Sequence, residues 1–238
     1  MTFTLMQSIL AFSYPTPCTF AIKDTSFQMT ENLSSILERQ CETLINDEHL
    51  LRKLREGNFD VGISETYYVC GLGLFEALNI KATIAAVSNP HLDAVAHAIS
   101  EPAFPSYVPG SLGTTGDRMS FTEKLQNIVA HAIGRAVVDY VSNREIAVFR
   151  KKYQSFKEYT ELIAQASFVS TNGNPYLDFP RPTLHKTVMI GGFAVSRSTS
   201  EKHTMSKEWD AVLNARRRTI LVPFGSVAKS IYLPENFM

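Results

Sequence analysis

The stretch from Phe59 to Ser88 constrains the fold of this chain more than any other. Phe59 to Ile63 (FDVGI) is a short, mostly apolar run ending at Ser64-Glu65, and Val69 to Asn79 (VCGLGLFEALN) has the small residues and the length of a helix lying close on a sheet. Ile80 to Ser88 (IKATIAAVS) is a second apolar run. Strand, tight turn, helix and strand within about 30 residues make a βαβ crossover, which is right-handed and belongs to a parallel sheet. An α/β fold follows, and with it a place to look for function, because ligands of open parallel sheets bind beyond the carboxyl ends of the strands. Glu65 falls at such an end and is the ionisable residue most worth a functional assignment.

The flanking segments read as helices and loops that would cover this sheet. From Thr30 or Asn32 a helix is expected with Leu33, Ile36, Leu37, Cys41, Leu44 and Ile45 on one face. A break at Asn46-Asp47 opens a second helix, which Gly57-Asn58 ends. Residues 89–116 carry seven prolines and glycines (Pro90, Pro102, Pro105, Pro109, Gly110, Gly113 and Gly116) and read as irregular, with Phe104, Tyr107 and Val108 forming an ordered apolar wall. Ser120 and Glu123 form a capping box for a long helix whose inner face is expected at Phe121, Leu125, Ile128, Val129, Ile133 and Tyr140, with the alanines and Val137 between them. A helix near Phe156–Ala166, a strand at Ser167–Ser170 and a strand at Lys186–Ile190 follow. The polar run Ala194–Thr204 reads as a linker to a helix, Lys207–Ala215, capped by Ser206, and to a last strand, Arg218–Phe224, that ends in Gly225-Ser226.

Composition removes several classes of function. The chain has 238 residues, 45% of them apolar, enough for one full core. Its 23 basic and 23 acidic side chains cancel, which offers no electrostatic case for nucleic acid or an anionic membrane surface. No run of ~18 apolar residues predicts a membrane span, and the amino terminus lacks the basic start of a secretion signal and is broken by Pro15 and Pro17. Cys18, Cys41 and Cys70 match no zinc spacing and are odd in number, so buried free thiols are expected, with neither a disulfide framework nor a metal site. His49 lies in a charged helix start, and His91, His97 and His131 have no partner at ligand spacing, so none receives a role. Gly71 and Gly73 form an incomplete glycine motif that is better explained by close helix-to-sheet packing.

The segments FDVGISETYYVCGLGLFEAL, ELIAQASFVSTNGNPYLDFPRP, TVMIGG, SKEWDAVLN and TILVPFGSVAKS, in this order and spacing, resemble the UDP-glucuronosyltransferase and UDP-glucosyltransferase family, particularly its nematode-type members. The resemblance runs from Phe59 to the end and more weakly back to Thr30. It implies a GT-B-like arrangement of two Rossmann-like domains, of which residues 1–192 are part of the acceptor-binding domain, 193–217 a linker with a short helix, and 218–238 the first strand and turn of the UDP-sugar domain. It also implies transfer of glucuronic acid or glucose from a UDP-sugar to a small lipophilic acceptor, with no metal or other cofactor, in the endoplasmic reticulum.

By the same resemblance Glu65 stands where the family places the aspartate that orients a catalytic histidine, and Ser226 with Gly225 stands where the donor diphosphate is held. Phe104 and Tyr107 are candidates for the acceptor wall. Two departures bear on activity. His49 is the sole histidine before Phe59, in a solvated setting unlike that of the family's base, and Pro223 replaces the serine common at the donor strand. The expectation is therefore a chain inactive by itself and prone to self-association through exposed sheet edges. The alternatives are a non-catalytic remnant or acceptor- or partner-binding module and, more distantly, an unrelated Rossmann-like nucleotide binder.

Overall fold

The computed structural model describes residues 26–111, 113, 115–193 and 205–220. One compact unit falls within Phe27–Ser196. Its first helix, α1 (Ser26–Asn46), buries Ser34, Leu37, Cys41 and Ile45, the three- and four-residue spacing of a single helical face. Asp47 starts α2 (Glu48–Glu56) by accepting a hydrogen bond from the Leu50 N–H at 2.9 Å. At the other end of α2 the left-handed residue is Asn58, at φ 42°, while Gly57 stays right-handed.

The βαβ unit forms as its sequence predicts. Strand β1 (Val61–Glu65), helix α3 (Cys70–Ala77) and strand β2 (Ala82–Val87) follow in order, with β1 and β2 parallel and Glu65 opposite Ala86. The two glycines of α3 are there for proximity. A Cβ on Gly71 would lie 2.0 Å from Ser64 Oγ, and one on Gly73 would lie 2.6 Å from the Phe149 ring. Two more parallel strands, β3 (Phe168–Thr171) and β4 (Thr187–Met189), extend the sheet in the order β1-β2-β3-β4.

One face of the sheet is covered. Ala85, Val87 and Val169 pack there with Val69 and Leu72 near α3, Val95, Ile146 and Leu162 into the main core. On the opposite face Val61, Ile63 and Phe168 are each about half exposed. The covering helices are α3, α4 (Asp93–Ala98), α5 (Phe121–Lys152) and α6 (Tyr159–Ala164). Helix α5 has 32 residues and is about 48 Å long. Its capping box forms in both directions between Ser120 and Glu123.

Four expectations are corrected. Residues 89–116 are not wholly irregular, because α4 forms within them and buries Ala94, Val95 and Ala96. Next, the apolar stripe expected to be the inner face of α5 is the exposed one: Phe121 is 83% and Leu125 57% exposed, and Ile128, Val129, Ile133 and Tyr140 are exposed as well. The buried stripe lies a quarter of the helix further on, at Ser142, Glu145, Ile146 and Phe149, and contains two polar residues that an apolar count passes over. Cys41 and Cys70 are not free thiols but form a disulfide that ties α1 to the first residue of α3. Sequence spacing had no bearing on it, since the fold brings residues 29 apart in sequence to a Cα separation of 5.8 Å. Finally, Arg218–Ile220 do not form a strand, and the rest of the expected strand lies outside the described residues.

Helix α7 (Lys207–Asn214) belongs to a separate unit. Ser206 caps it, accepting from the Trp209 N–H, and none of its residues is buried.

Candidate functional site

A cavity of about 780 Å³ opens at the carboxyl ends of the first three strands. Thr66 and Tyr67 line it after β1, Asn89 and Pro90 after β2, and Asn172 and Gly173 after β3. The far side is α5, through Gly134, Val137, Val138 and Val141, with Thr30 and Leu33 of α1 beside it. The wall is mainly apolar with a few polar groups, the usual character of a site for a small organic molecule.

Glu65 lies directly behind the lining residues Thr66 and Tyr67. Its Oε1 accepts from the N–H groups of Thr66 (3.0 Å) and Tyr67 (3.2 Å), and its Oε2 accepts from the Ser88 N–H at 3.0 Å. The carboxylate thus clamps the ends of β1 and β2 together. The next turn of the same loop is held by a second carboxylate that the sequence did not reveal. Glu145, 1% exposed on α5, accepts from the N–H of Val69 at 2.7 Å and from that of Cys70. It caps α3, where Val69 has no side-chain cap of its own. Burial pushes its carboxyl up to about 7, against the opposing pull of the two N–H donors.

The loop side is stapled by side chains. Asn127, 1% exposed, accepts from the Gly110 N–H and donates to the carbonyls of Pro105 and Val108, each at 2.8–2.9 Å. The rings of Phe104 and Tyr107 meet at a tilt of 35° with centroids 5.6 Å apart, and the Tyr107 hydroxyl donates to the Pro180 carbonyl. The cavity surface at this point is formed by Val108, Pro109 and Ser111. Gly225 and Ser226 lie outside the described residues.

The remaining histidines divide by environment. His49 is exposed. His91 is buried beside the cavity, its Nε2 2.5 Å from Glu101 Oε2, while Glu101 Oε1 accepts from the Leu184 N–H and the Thr187 hydroxyl. That pair fastens the loop after β2 to the start of β4. His131 presents Nδ1 to Asp93 Oδ2 at 3.3 Å and Nε2 to the Val108 carbonyl at 3.2 Å. Asp93 Oδ2 also accepts from the Ser111 N–H and hydroxyl. Arg181 reaches Asp178 at 3.3 Å and Asp93 at 4.0 Å, and both Asp178 and Arg181 are more than nine-tenths buried. The segment that carries the resemblance contains this last pair, LDFPRP, but nothing in its spacing shows that it turns back onto the cavity.

Among the described residues no helix is long and apolar enough to cross a membrane.

The chain resembles known proteins over most of its length. Residues 8–236 match the family described as UDP-glucoronosyl and UDP-glucosyl transferase. The chain is 27% identical over 206 residues to human UDP-glucuronosyltransferase 1A5, covering 86% of this chain and 38% of that protein. It is 29% identical over 209 residues to the Caenorhabditis elegans UDP-glucuronosyltransferase homologue ugt-56, covering 87% and 38%. To mouse UDP-glucuronosyltransferase 1A9 it is 27% identical, covering 82% and 36%. The chain therefore spans less than two fifths of the length of these relatives. No solved structure matches it. Parallel sheet, strand-end cavity and family match agree, and the chain belongs to the UDP-glucuronosyl and UDP-glucosyl transferase family.

Proposed function

We propose that this chain supplies the acceptor side of a sugar transfer from a UDP-sugar, glucuronic acid or glucose, to the hydroxyl of a small lipophilic molecule. The observation that carries this reading is the apolar cavity at the strand ends with Glu65 clamped directly behind its wall. The acceptor fills the cavity, and Glu65 acts through an imidazole that removes the acceptor proton, fixing its tautomer and stabilising the charge that develops on it. Phe104 and Tyr107 brace the wall, and Gly225 with Ser226 take the donor diphosphate at backbone N–H groups. Residues 1–192 serve the acceptor, 193–217 connect, and 218–238 begin the donor side. No metal is needed, since the leaving UDP is met by backbone and side-chain donors. An endoplasmic reticulum location is supported by the Cys41–Cys70 disulfide, which persists in an oxidising compartment.

A second reading, an acceptor-binding module without catalysis, draws on one observation: both oxygens of Glu65 are already engaged by backbone N–H groups. Replacement of Glu65 separates the two. In protein containing this chain, Glu65→Gln keeps the size of the side chain and removes its charge, so UDP release dependent on a phenol acceptor should fall by a factor of about 10²–10⁴ while acceptor binding changes little. Transfer at the unaltered rate in Glu65→Gln would refute the catalytic role.

A further inference from the structure

Asn32, Leu33 and Ser34 form the one Asn-X-Ser/Thr triplet of the chain. Such a triplet is the acceptor for asparagine-linked glycosylation, in which the amide of the first residue takes the sugar and the hydroxyl of the third is required. The fold sends its two ends in opposite directions. On α1 the buried stripe is Ser34, Leu37, Cys41 and Ile45, and at about 100° per residue Asn32 lies on roughly the opposite face, exposed together with Gln28, Arg39, Thr43 and Asn46. Ser34 is 0% exposed, yet its Oγ has no hydrogen-bond partner. Buried hydroxyls are nearly always paired, and an unpaired one costs stability that an alanine at the same place would not. The folded chain makes no use of this hydroxyl, and a use before folding accounts for it.

Resting on the lumenal reading of the Cys41–Cys70 disulfide, we infer that Asn32 is a site of N-linked glycosylation. The Asn32 side-chain nitrogen displaces the pyrophosphate of a lipid-linked oligosaccharide. The bond from nitrogen to sugar C1 forms, the bond from C1 to oxygen breaks, the lipid pyrophosphate leaves, and one amide proton passes to a base of the transferring enzyme. Because the Ser34 hydroxyl is reachable only before α1 packs, transfer precedes folding. The partners of α1 provide the interval. Glu31 and Glu38 bond Arg144, and Glu42 bonds Lys151, all 106–113 residues further along the chain, while Cys41 waits 29 residues for Cys70. A helix without its packing partners is marginal in water, and at about 5–20 residues per second these partners emerge roughly 5–20 s after the triplet. Once α1 has packed, a glycan on Asn32 projects into solvent. Thr30 and Leu33 line the cavity and Asn32 does not, so the glycan leaves that site open.

The full chain, produced behind a cleavable secretion signal in eukaryotic cells, tests this by digestion with peptide N-glycosidase. Removal of the glycan should give a single step of increased gel mobility and leave aspartate at position 32 in the peptide mass spectrum. Asn32→Gln and Ser34→Ala should each abolish the step, whereas Ser34→Thr, which keeps the hydroxyl, should retain it. The disulfide is read in the same sample by alkylating the denatured chain before reduction. One blocked thiol with no glycan at Asn32 would overturn the inference and leave the lumenal reading standing. Three blocked thiols with no glycan would overturn both. Since transfer precedes folding, the mobility step decides the matter even for a variant that fails to fold.

Discussion

The two sides of the cavity are built by different means. The strand-end side, residues 65–70, is held at the backbone: Glu65 takes the N–H groups of Thr66 and Tyr67, Glu145 takes those of Val69 and Cys70, and the disulfide fixes Cys70 to α1. The loop side, residues 101–111 and 178–184, has no regular ladder and is held by single side chains reaching across long sequence distances, Asn127, Glu101 and Tyr107 among them. Carboxylate caps and a covalent tie hold the first side rigidly around Glu65. The second side has only hydrogen-bond staples, each of which can break singly. If this contrast is right, perturbing the strand-end side should cost more stability than perturbing the loop side.

The largest effect is expected at the disulfide. A cross-link closing a loop of this size stabilises by about 3.5 kcal/mol, so Cys41→Ala combined with Cys70→Ala should lower the unfolding free energy measured in urea by that amount. Alkylation of the denatured, unreduced chain should block one thiol of the three present. Three blocked thiols would show that the tie is absent and that the strand-end side has no covalent advantage.

The second test concerns Glu145. Its folded carboxyl lies near 7, above the ordinary value of 4.5, so the folded state holds the proton that the unfolded state gives up between these values. Stability from this group is therefore fully present below about pH 4.5 and is lost as pH rises through 7. The loss should be on the order of 3 kcal/mol. Glu145→Gln, which cannot ionise, should remove that slope: its difference in unfolding free energy from the parent should move in favour of the variant between pH 5 and pH 8. Taking the difference between the two proteins cancels other titrations that the substitution leaves alone. A constant difference across that range would mean that Glu145 does not carry the charge in question, and that the cap on α3 is pH-indifferent.

How much of this was legible in the sequence follows the same division. The βαβ unit, Glu65 at its strand end and the Ser120–Glu123 capping box depend on residues within a few positions of each other, and local pattern reported them. Glu145 was hidden because it caps a helix 76 residues earlier in the chain, and a lone glutamate on a long helix looks solvated. The inner face of α5 was misjudged for a related reason. Its first half carries the stronger apolar stripe, but the half that meets the core carries Ser142 and Glu145 at the contact, where their hydrogen-bond partners decide burial and apolarity does not. The Cys41–Cys70 bond needed the packing of α1 against α3, which no parity count contains.

The smallest effect is expected on the loop side, at Tyr107. Its hydroxyl donates at 2.9 Å to the carbonyl of Pro180, the residue before Arg181, so it links the proline-rich loop to the segment that bears the Asp178–Arg181 pair. The bond is exposed, and Tyr107→Phe removes it while keeping the tilted ring contact with Phe104. Loss of one such bond should cost about 0.5–1 kcal/mol, because water replaces the lost partner. If the aromatic pair acts only by bracing, binding of para-phenylphenol should change by no more than about twofold, as expected for a contact one residue removed from the ligand. A tenfold loss of phenol binding at unchanged stability would place the Tyr107 hydroxyl on the acceptor itself, and the loop side would then share in recognition as directly as the strand ends do.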